Sequence, residues 1–231
     1  MEETKNGSQQ LAVISNIKPN TLIDEIIDQG KEYVRLMSYY TGAMMEIETK
    51  FKVLNIEFNA QFARNPIEAI KTRLKTPGSI YEKMRRTGKP ISVDSIEAEL
   101  NDVAGVRVIC SFVDDIYRLA DMLAAQDDIR VLRIKDYIKN PKPSGYRSLH
   151  MIVEVPIFLS DSKRPMRVEV QLRTIAMDFW ASLEHKLRYK KDIPAAHAQE
   201  IAQELCLCAE VVSRTDEQML SIRQQIENAG S

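Results

Sequence analysis

The sequence has only three cysteines and no long hydrophobic run, and both shortages narrow what the protein can be. Cys110, Cys206 and Cys208 are odd in number and lack the spacing of zinc ligands or paired disulfide cysteines, so we expect buried or helical thiols. No segment approaches the roughly 18 apolar residues of a membrane-spanning helix, and residues 1–10 are polar rather than a signal peptide. We therefore expect a cytoplasmic protein that does not associate with membranes.

A glycine-rich phosphate-binding loop that ends in Gly-Lys-Ser or Gly-Lys-Thr is also missing, which excludes a P-loop enzyme. The formal net charge of −1 argues against a protein built mainly to coat nucleic acid. The charge is nevertheless segregated, because residues 64–89 contain eight basic and two acidic residues and residues 130–150 contain six basic and one acidic. Two such segments indicate a focused anion site, although each could be an ordinary solvated face.

Hydrophobic periodicity predicts an α/β (α+β) fold, with a small mixed β-sheet flanked by helices and helical extensions at both ends. Strands are expected over residues 106–112, 129–138, 150–159 and 165–173. Helices are expected over residues 21–40, 43–62, 79–86, 114–125, 174–187 and 195–227, with a short helix starting at Asn65-Pro66. The expected domains are a flexible tail (1–19), N-terminal helices (20–62), a core (63–191) and an acidic C-terminal helical arm (192–231).

Apolar residues at helical spacing indicate which helix faces are buried. The helix over residues 43–62 is expected to bury Met44, Ile47, Phe51, Leu54, Phe58 and Phe62. The helix after Thr174 is expected to face inward with Ala176, Phe179, Trp180, Leu183 and Leu187. The last helix carries a stripe of Ile201, Leu205, Cys208, Val212, Met219 and Ile226, expected to pack against the core or another subunit.

The stretch from Arg167 to Thr174 alternates strictly between apolar and polar residues, which is typical of a strand with unlike faces. Its polar face would carry Glu169 and Gln171, although a half-exposed strand with its polar side in water explains the same pattern. A loop containing Tyr146 and His150 lies just upstream. If the flanking strands pair, these side chains share one polar site, in which an aromatic ring can stack on a base and a carboxylate can bind a metal or accept a proton.

Two further positions point to phosphate and metal binding. Ser79, Lys83 and Arg86 fall on one side of a helix that is expected to start at Ser79, and a helix start with a hydroxyl and lysines suits phosphate oxygens. Asp102 stands at the mouth of a strand and is a natural magnesium ligand, although an aspartate there is also a common cap or turn residue.

Four motifs follow one another along the chain: Arg73-x-Lys75, Asp102-x-x-Gly-x-Arg107, Gly145-Tyr-Arg-Ser-x-His150 and Glu169-x-Gln-x-Arg-Thr174. With these motifs in this order, the chain resembles the RelA/SpoT-type (p)ppGpp synthetases, and more closely the small alarmone synthetases of the RelQ type. The resemblance covers roughly residues 67–190. It implies a nucleotidyltransferase-like fold and a GTP diphosphokinase of the bacterial stringent response, which transfers the β,γ-pyrophosphate of ATP to the 3′-hydroxyl of GTP or GDP.

The resemblance also implies a role for each motif residue. Asp102 and Glu169 would bind Mg²⁺, and Glu169 would in addition activate the 3′-hydroxyl. The residues implied for ATP are Arg73 and Arg107 around adenine, with Lys75, Ser79, Lys83 and Arg86 on the phosphates. The residues implied for the acceptor nucleotide are Tyr146, stacked on guanine, with Lys142, His150 and Gln171 on its phosphates and ribose.

For the assembly, the resemblance implies a homotetramer that its product (p)ppGpp stimulates and that single-stranded RNA inhibits. The long members of the family that the chain resembles carry a hydrolase domain whose metal site uses a His-Asp pair. No histidine in this sequence is followed by aspartate, so the resemblance implies no alarmone hydrolase activity. Two alternatives stay open: a catalytically silent nucleotide- or RNA-binding regulator on the same scaffold, and a nucleotidyltransferase, which would want an Asp-x-Asp pair that the sheet region lacks. The preferred acceptor (GDP, GTP or GMP), the allosteric residues, the oligomer symmetry and the triggering signal are not determined by the sequence.

Overall fold

The computed structural model describes residues 19–62, 64–188 and 195–229, and its centre is a five-stranded mixed β-sheet. The helices are α1 (Pro19–Phe62), α2 (Pro77–Thr87), α3 (Val93–Glu99), α4 (Val113–Ala124), α5 (Ile175–Arg188) and α6 (Ala195–Ala229). The strands are β1 (Ile67–Leu74), β2 (Ala104–Cys110), β3 (Arg130–Asp136), β4 (Leu149–Phe158) and β5 (Lys163–Thr174). The expected tail over residues 1–19 lies almost entirely outside the described residues.

The strands are ordered β1-β2-β5-β4-β3, with β2 and β5 parallel and the other neighbours antiparallel. The apolar face of the sheet includes Val168, Val170 and Leu172, all fully buried. Side chains of α1 and α4, such as Phe51 and Leu119, belong to the same hydrophobic core. One face of the sheet is therefore committed to packing, and the opposite face is available for polar chemistry.

The N-terminal segment is one helix of 44 residues, so the expected division into two helices near residues 41–42 is wrong. Tyr40, Ala43 and Ile47 are all buried within the same core, and their packing continues across the expected break. Such burial outweighs the cost of a helical glycine at position 42, which is about 1 kcal/mol. The expected core face of this helix is confirmed from Met44 to Phe58.

The expected short helix at Asn65-Pro66 is wrong, because Ile67–Leu74 forms the edge strand β1. Apolar residues at 67, 70 and 74 have helical spacing, and the segment is rich in residues that favour helices. Pairing with β2 overrides this local preference. β1 is therefore a fifth strand, in addition to the four that the sequence predicts.

Two other elements differ from expectation near the amino end of the core. Helix α2 begins at Pro77 rather than Ser79, because the Thr76 side chain caps it by accepting a hydrogen bond from the Ser79 amide. The short helix α3, capped by Ser92, was not predicted. Both helices contribute buried residues to the core, including Ile80 and Ile96.

The inward face expected for α5 is only partly correct. Trp180 is buried, but Phe179, Leu183 and Leu187 are 60%, 42% and 53% exposed. On α6 the stripe divides in the same way. Ile201, Leu205 and Val212 are partly buried, whereas Cys208, Met219 and Ile226 are exposed. The reason is that α5 and α6 pack on each other along one side only, which leaves an apolar side of each helix uncovered by the other described residues. Among the helices described, none is both long and apolar enough to cross a membrane.

Candidate active site

Two rows of side chains cross the polar face of the sheet, because the register of the five strands aligns them. The first row contains Arg73, Gly105, Glu169, Ile152 and Arg133. The second row contains Lys71, Arg107, Gln171, His150 and Lys135. Gly105 leaves the floor of the first row open beside Glu169. The fold thus gathers residues from distant parts of the sequence onto one surface.

Three cavities open on or beside this surface. The first, of about 740 Å³, is bordered by Arg73, Lys75, Arg107, Tyr146 and Gln171. The second, of about 440 Å³, is bordered by Lys75, which precedes α2, and by Ser79, Lys83 and Arg86 along that helix. The third, of about 280 Å³, is bordered by Lys142 and His150, together with Arg133, Lys135 and Tyr137, which the sequence did not single out. Asp102 and Glu169 border both the first and the third cavity.

The carboxylate of Asp102 is held by two lysines at a single oxygen. Lys75 Nζ and Lys83 Nζ lie 2.8 Å and 2.7 Å from Oδ2, whereas Oδ1 is buried and has no hydrogen-bond partner among the residues that the structure describes. Burial raises the pKa of Asp102, but the two lysines outweigh it and the net pKa lies below the ordinary value. Asp102 is therefore ionised at neutral pH, with one oxygen still unsatisfied.

Glu169 also receives hydrogen bonds that keep it ionised. His150 Nδ1 lies 3.2 Å from Oε1, and Gln171 Nε2 donates to Oε2 over 3.0 Å. Burial raises the pKa of Glu169, but these contacts outweigh it and the net pKa lies below the ordinary value. An ionised carboxylate at this point can bind a metal or accept a proton.

A chain of hydrogen bonds leads to Glu169. Arg173 Nη2 donates to Tyr146 Oη over 2.6 Å, and His150 Nε2 lies 2.7 Å from the same oxygen. In the imidazole tautomer with its proton on Nδ1, Tyr146 donates to Nε2 and Nδ1 donates to Glu169. Both ring nitrogens of His150 thus have protein partners, so the expected contact with the acceptor nucleotide requires one of them to be exchanged.

The ring of Tyr146 is bordered by two cations. Lys142 Nζ lies 4.7 Å from the ring centroid and Arg173 Cζ lies 5.0 Å from it. An aromatic ring that attracts cations in this way also offers a flat surface on which a purine can stack.

Asp178 on α5, which the sequence did not predict as a site residue, holds three cations at the end of the second row. Its carboxylate lies 2.9 Å from Lys71, 3.2 Å from Arg107 and 3.1 Å from Arg173. Burial and the neighbouring Arg173 lower the pKa of Arg107, and Asp178 counteracts them. A signal was available, because Asp178 is an acid among the inward-facing residues Met177 and Trp180 of an amphipathic helix.

The family of this chain follows from its sequence. The family described as "Region found in RelA / SpoT proteins" matches residues 72–194, more than half of the chain. The chain belongs to the RelA/SpoT family. This RelA/SpoT chain is 40% identical over 209 residues to the GTP pyrophosphokinase YwaC of Bacillus subtilis, with 90% of this chain and 98% of the relative covered. It is 38% identical over 201 residues to the GTP pyrophosphokinase YjbM of the same organism, covering 86% and 92% of the two chains.

Solved structures of RelA/SpoT proteins agree with the fold. Small alarmone synthetase 2 from Bacillus subtilis superimposes with a TM-score of 0.75 at 41% identity, covering 84% of this chain and 99% of that one. Small alarmone synthetase 1 from the same organism, bound to its product pppGpp, gives a TM-score of 0.76 at 38% identity, with 85% and 99% covered. The family resemblance and the fold class expected from the sequence are both confirmed.

Proposed function

We propose that this RelA/SpoT protein is a GTP pyrophosphokinase that transfers the β,γ-pyrophosphate of ATP to the 3′-hydroxyl of GTP or GDP. The observation that carries the proposal is the position of Asp102 and Glu169, two ionised carboxylates that border both the first and the third cavity. Two nucleotides bound on either side would meet at these carboxylates. The two Bacillus subtilis relatives named as GTP pyrophosphokinases support the same reaction.

ATP would occupy the first and second cavities. Arg73 and Arg107 come from neighbouring strands and border the first cavity, where their planar guanidinium groups can enclose adenine. The residues proposed for the phosphates are those of the second cavity, Lys75, Ser79, Lys83 and Arg86. Of these residues, Ser79 lies in the first turn of α2, where the helix N-terminus adds its partial positive charge. A solved relative, small alarmone synthetase 1, is bound to AMPCPP.

The acceptor nucleotide would enter from the third cavity, and its guanine would stack on Tyr146, which borders the first cavity and contacts Tyr137 and His150 of the third. Stacking would replace one of the two cations now at the ring, and Lys142 is the more exposed of them. Lys142 and His150 would then contact the acceptor's phosphates and ribose. Gln171 borders the first cavity, where it accepts a hydrogen bond from Arg107 over 3.4 Å, so it lies between the two nucleotides.

In the proposed reaction the 3′-oxygen of the acceptor attacks the β-phosphorus of ATP. A bond forms between these atoms while the bond from the β-phosphorus to the oxygen shared with the α-phosphorus breaks, and AMP leaves with that oxygen. Glu169 accepts the proton of the 3′-hydroxyl, a contribution typically worth about a hundred- to ten-thousand-fold in rate. The positive charges around both nucleotides stabilise the phosphate oxygens in the transition state.

The residues present fit a magnesium ion. Oδ1 of Asp102 is buried and has no hydrogen-bond partner in the described part of the chain, and Glu169 borders the same cavities as Asp102. Mg²⁺ is commonly bound by one or two carboxylates together with substrate phosphates. When bound, the ion would offset the negative charge on the β- and γ-phosphates.

We further propose that the protein is a cytoplasmic homotetramer. The exposed apolar residues Phe179, Leu183 and Leu187 on α5 support burial against other copies of the chain. Light scattering after size-exclusion chromatography tests this, and a monomer at micromolar concentration would contradict it. Stimulation by (p)ppGpp, inhibition by single-stranded RNA and the lack of hydrolase activity stay predictions of the family resemblance.

The proposed reaction is tested by mixing the protein with ATP, GTP and Mg²⁺ and separating the nucleotides by anion-exchange chromatography. We expect pppGpp and AMP in equal amounts. Binding of both nucleotides without product would contradict the proposal and favour a regulatory protein on the same scaffold.

A further inference from the structure

Helix α6 lies outside residues 72–194, which the family matches, yet it touches the loop that carries Tyr146. Gly145 is buried and has a φ of 86°, a conformation that favours glycine. A Cβ added to Gly145 would lie 2.5 Å from Cβ of Ala209 and 3.4 Å from Cα of Cys206. The loop backbone therefore rests directly on α6.

Tyr146 itself packs against a small cluster formed by α5 and α6. The buried members of this cluster are Trp180, Ala181 and Ala209, of which Ala209 is 3% exposed. Trp180 Nε1 donates a hydrogen bond to the carbonyl oxygen of Leu205 over 3.1 Å, which fixes α6 against α5. Ala209 thus belongs to the packed contact between α5 and α6.

A second contact ties α6 to the strand that carries Glu169. Thr174, the last residue of β5, donates a hydrogen bond from Oγ1 to Asp216 Oδ2 over 2.6 Å. Thr174 is fully buried, and its Oγ1 also accepts a hydrogen bond from the Met177 amide at the start of α5. Helix α6 therefore has a fixed position relative to both Glu169 and Tyr146.

We propose that α6 is a positioning element of the acceptor site, in which Ala209 sets the position of Tyr146 through Gly145. The proposal rests on the proposed function in one respect, namely that Tyr146 stacks on the guanine of the acceptor. The loop would move as a unit, because Gly145 N donates to the Lys142 carbonyl over 2.8 Å and Lys142 N donates to the Tyr146 carbonyl over 3.2 Å. A larger side chain at position 209 would therefore displace Lys142 and Tyr146 together.

The effect is expected to be selective for the acceptor. Arg73 lies in β1 and Lys75 directly follows this strand. Strand β1 is one edge of the sheet, and β3, with the loop that leads from it to β4, is at the opposite edge. Although Tyr146 borders the same cavity, displacement of its loop therefore leaves Arg73 and Lys75 in place. A general loss of folding, by contrast, would weaken the binding of both nucleotides alike.

The test is calorimetric titration of the full-length Ala209→Val variant with GDP and, separately, with a non-hydrolysable ATP analogue. We expect the Kd for GDP to rise about tenfold, within the range for overpacking a buried position, while the Kd for the ATP analogue changes less than about twofold. Ala198→Val is the matched control, because it makes the same change at an exposed position of α6 and is expected to leave both constants unchanged.

A variant that melts cooperatively but binds GDP like the wild type would overturn the proposal, as would equal losses for GDP and the ATP analogue. If Ala209→Val does not fold, Ala209→Gly removes the contacting methyl group without overpacking, and an unchanged Kd for GDP in that variant would also overturn it. Tyr146→Ala separates this proposal from the proposed function. If Tyr146→Ala binds GDP normally, Tyr146 does not stack on the guanine and the proposed function loses that contact. If Tyr146→Ala binds GDP weakly but the Ala209 variants bind it normally, only the proposed role of α6 is wrong.

Discussion

Lys75 Nζ lies 2.8 Å from Oδ2 of Asp102, so a cation proposed to bind ATP phosphates is paired with a carboxylate proposed to bind Mg²⁺. Lys83 contacts the same oxygen. These ion pairs hold the side chains close to their proposed positions before ATP arrives. ATP and Mg²⁺ together would replace the pairs, with the phosphates taking the lysines and the ion taking the carboxylate.

Asp102→Asn should reduce kcat/KM about a thousandfold and increase the Mg²⁺ concentration needed for half-maximal rate, because the amide lacks the charge that the ion and the lysines require. Steady-state rates over a Mg²⁺ titration measure both effects. Asp94→Asn is the matched control, since Asp94 is an exposed acid on α3 away from the cavities. Near-normal activity of Asp102→Asn at every Mg²⁺ concentration would be incompatible with the proposed site.

Glu169→Gln should abolish synthesis, with a loss of about a hundred- to ten-thousand-fold in kcat, while ATP and GDP still bind. Glutamine keeps the shape of the side chain and an oxygen for His150, so the melting temperature should stay close to that of the wild type. Rapid-quench measurement of a single turnover reports the chemical step. Glu154→Gln on the neighbouring strand serves as the control, and a Glu169→Gln variant with near-normal turnover would remove Glu169 from its proposed role.

The sequence is sufficient to predict β5 and its polar face, because strict alternation over residues 167–174 has one regular interpretation. It also predicts that Tyr146, His150 and Glu169 meet, since that follows once β4 and β5 pair. β1 could not be predicted in the same way. Its apolar residues have helical spacing, and only pairing with β2, which joins distant parts of the chain, determines its structure.

The contacts of Asp178 could not be predicted from the sequence. An acid on a largely apolar helix face indicates a buried partner, but the sequence does not identify that partner. Lys71, Arg107 and Arg173 come from three different strands, and the register of the sheet brings all three to one carboxylate. The exposure of Phe179 depends in the same way on how α5 packs, which periodicity alone does not specify.

Asp178→Asn should raise KM for ATP more than it lowers kcat, because Arg107 loses the charge that holds it beside the proposed adenine site. The free energy of unfolding should fall by about 3 kcal/mol, the lower end of the range for removing one partner of a buried ion pair, since Lys71 remains half exposed. Steady-state kinetics and urea denaturation measure the two effects. A variant with unchanged stability and unchanged KM for ATP would contradict the proposed role of Asp178.

The stability contributed by Asp178 should disappear in acid. Burial raises the pKa of Asp178, but Lys71, Arg107 and Arg173 lower it further, and the net pKa lies below the ordinary value. A carboxyl group with a lowered pKa stabilises the fold above its unfolded pKa of about 4, and this contribution is lost as the pH falls through the folded value. The wild type should therefore unfold more easily below about pH 4, and its advantage over Asp178→Asn should shrink progressively as the pH falls further. Melting curves from pH 7 to pH 3 decide this, and a constant difference between the two proteins would contradict it.

Transfer of pyrophosphate, rather than of a nucleotide or a single phosphate, is the central claim, and ATP labelled in turn at the α- and the γ-phosphate tests it most directly. With GTP as acceptor and Mg²⁺ present, the γ-label should appear in a guanosine pentaphosphate and the α-label should stay in AMP, with the two products in equal amounts. If the α-label instead entered the guanosine product, or ADP accumulated in place of AMP, the assignment of Asp102 and Glu169 to pyrophosphate transfer would be wrong.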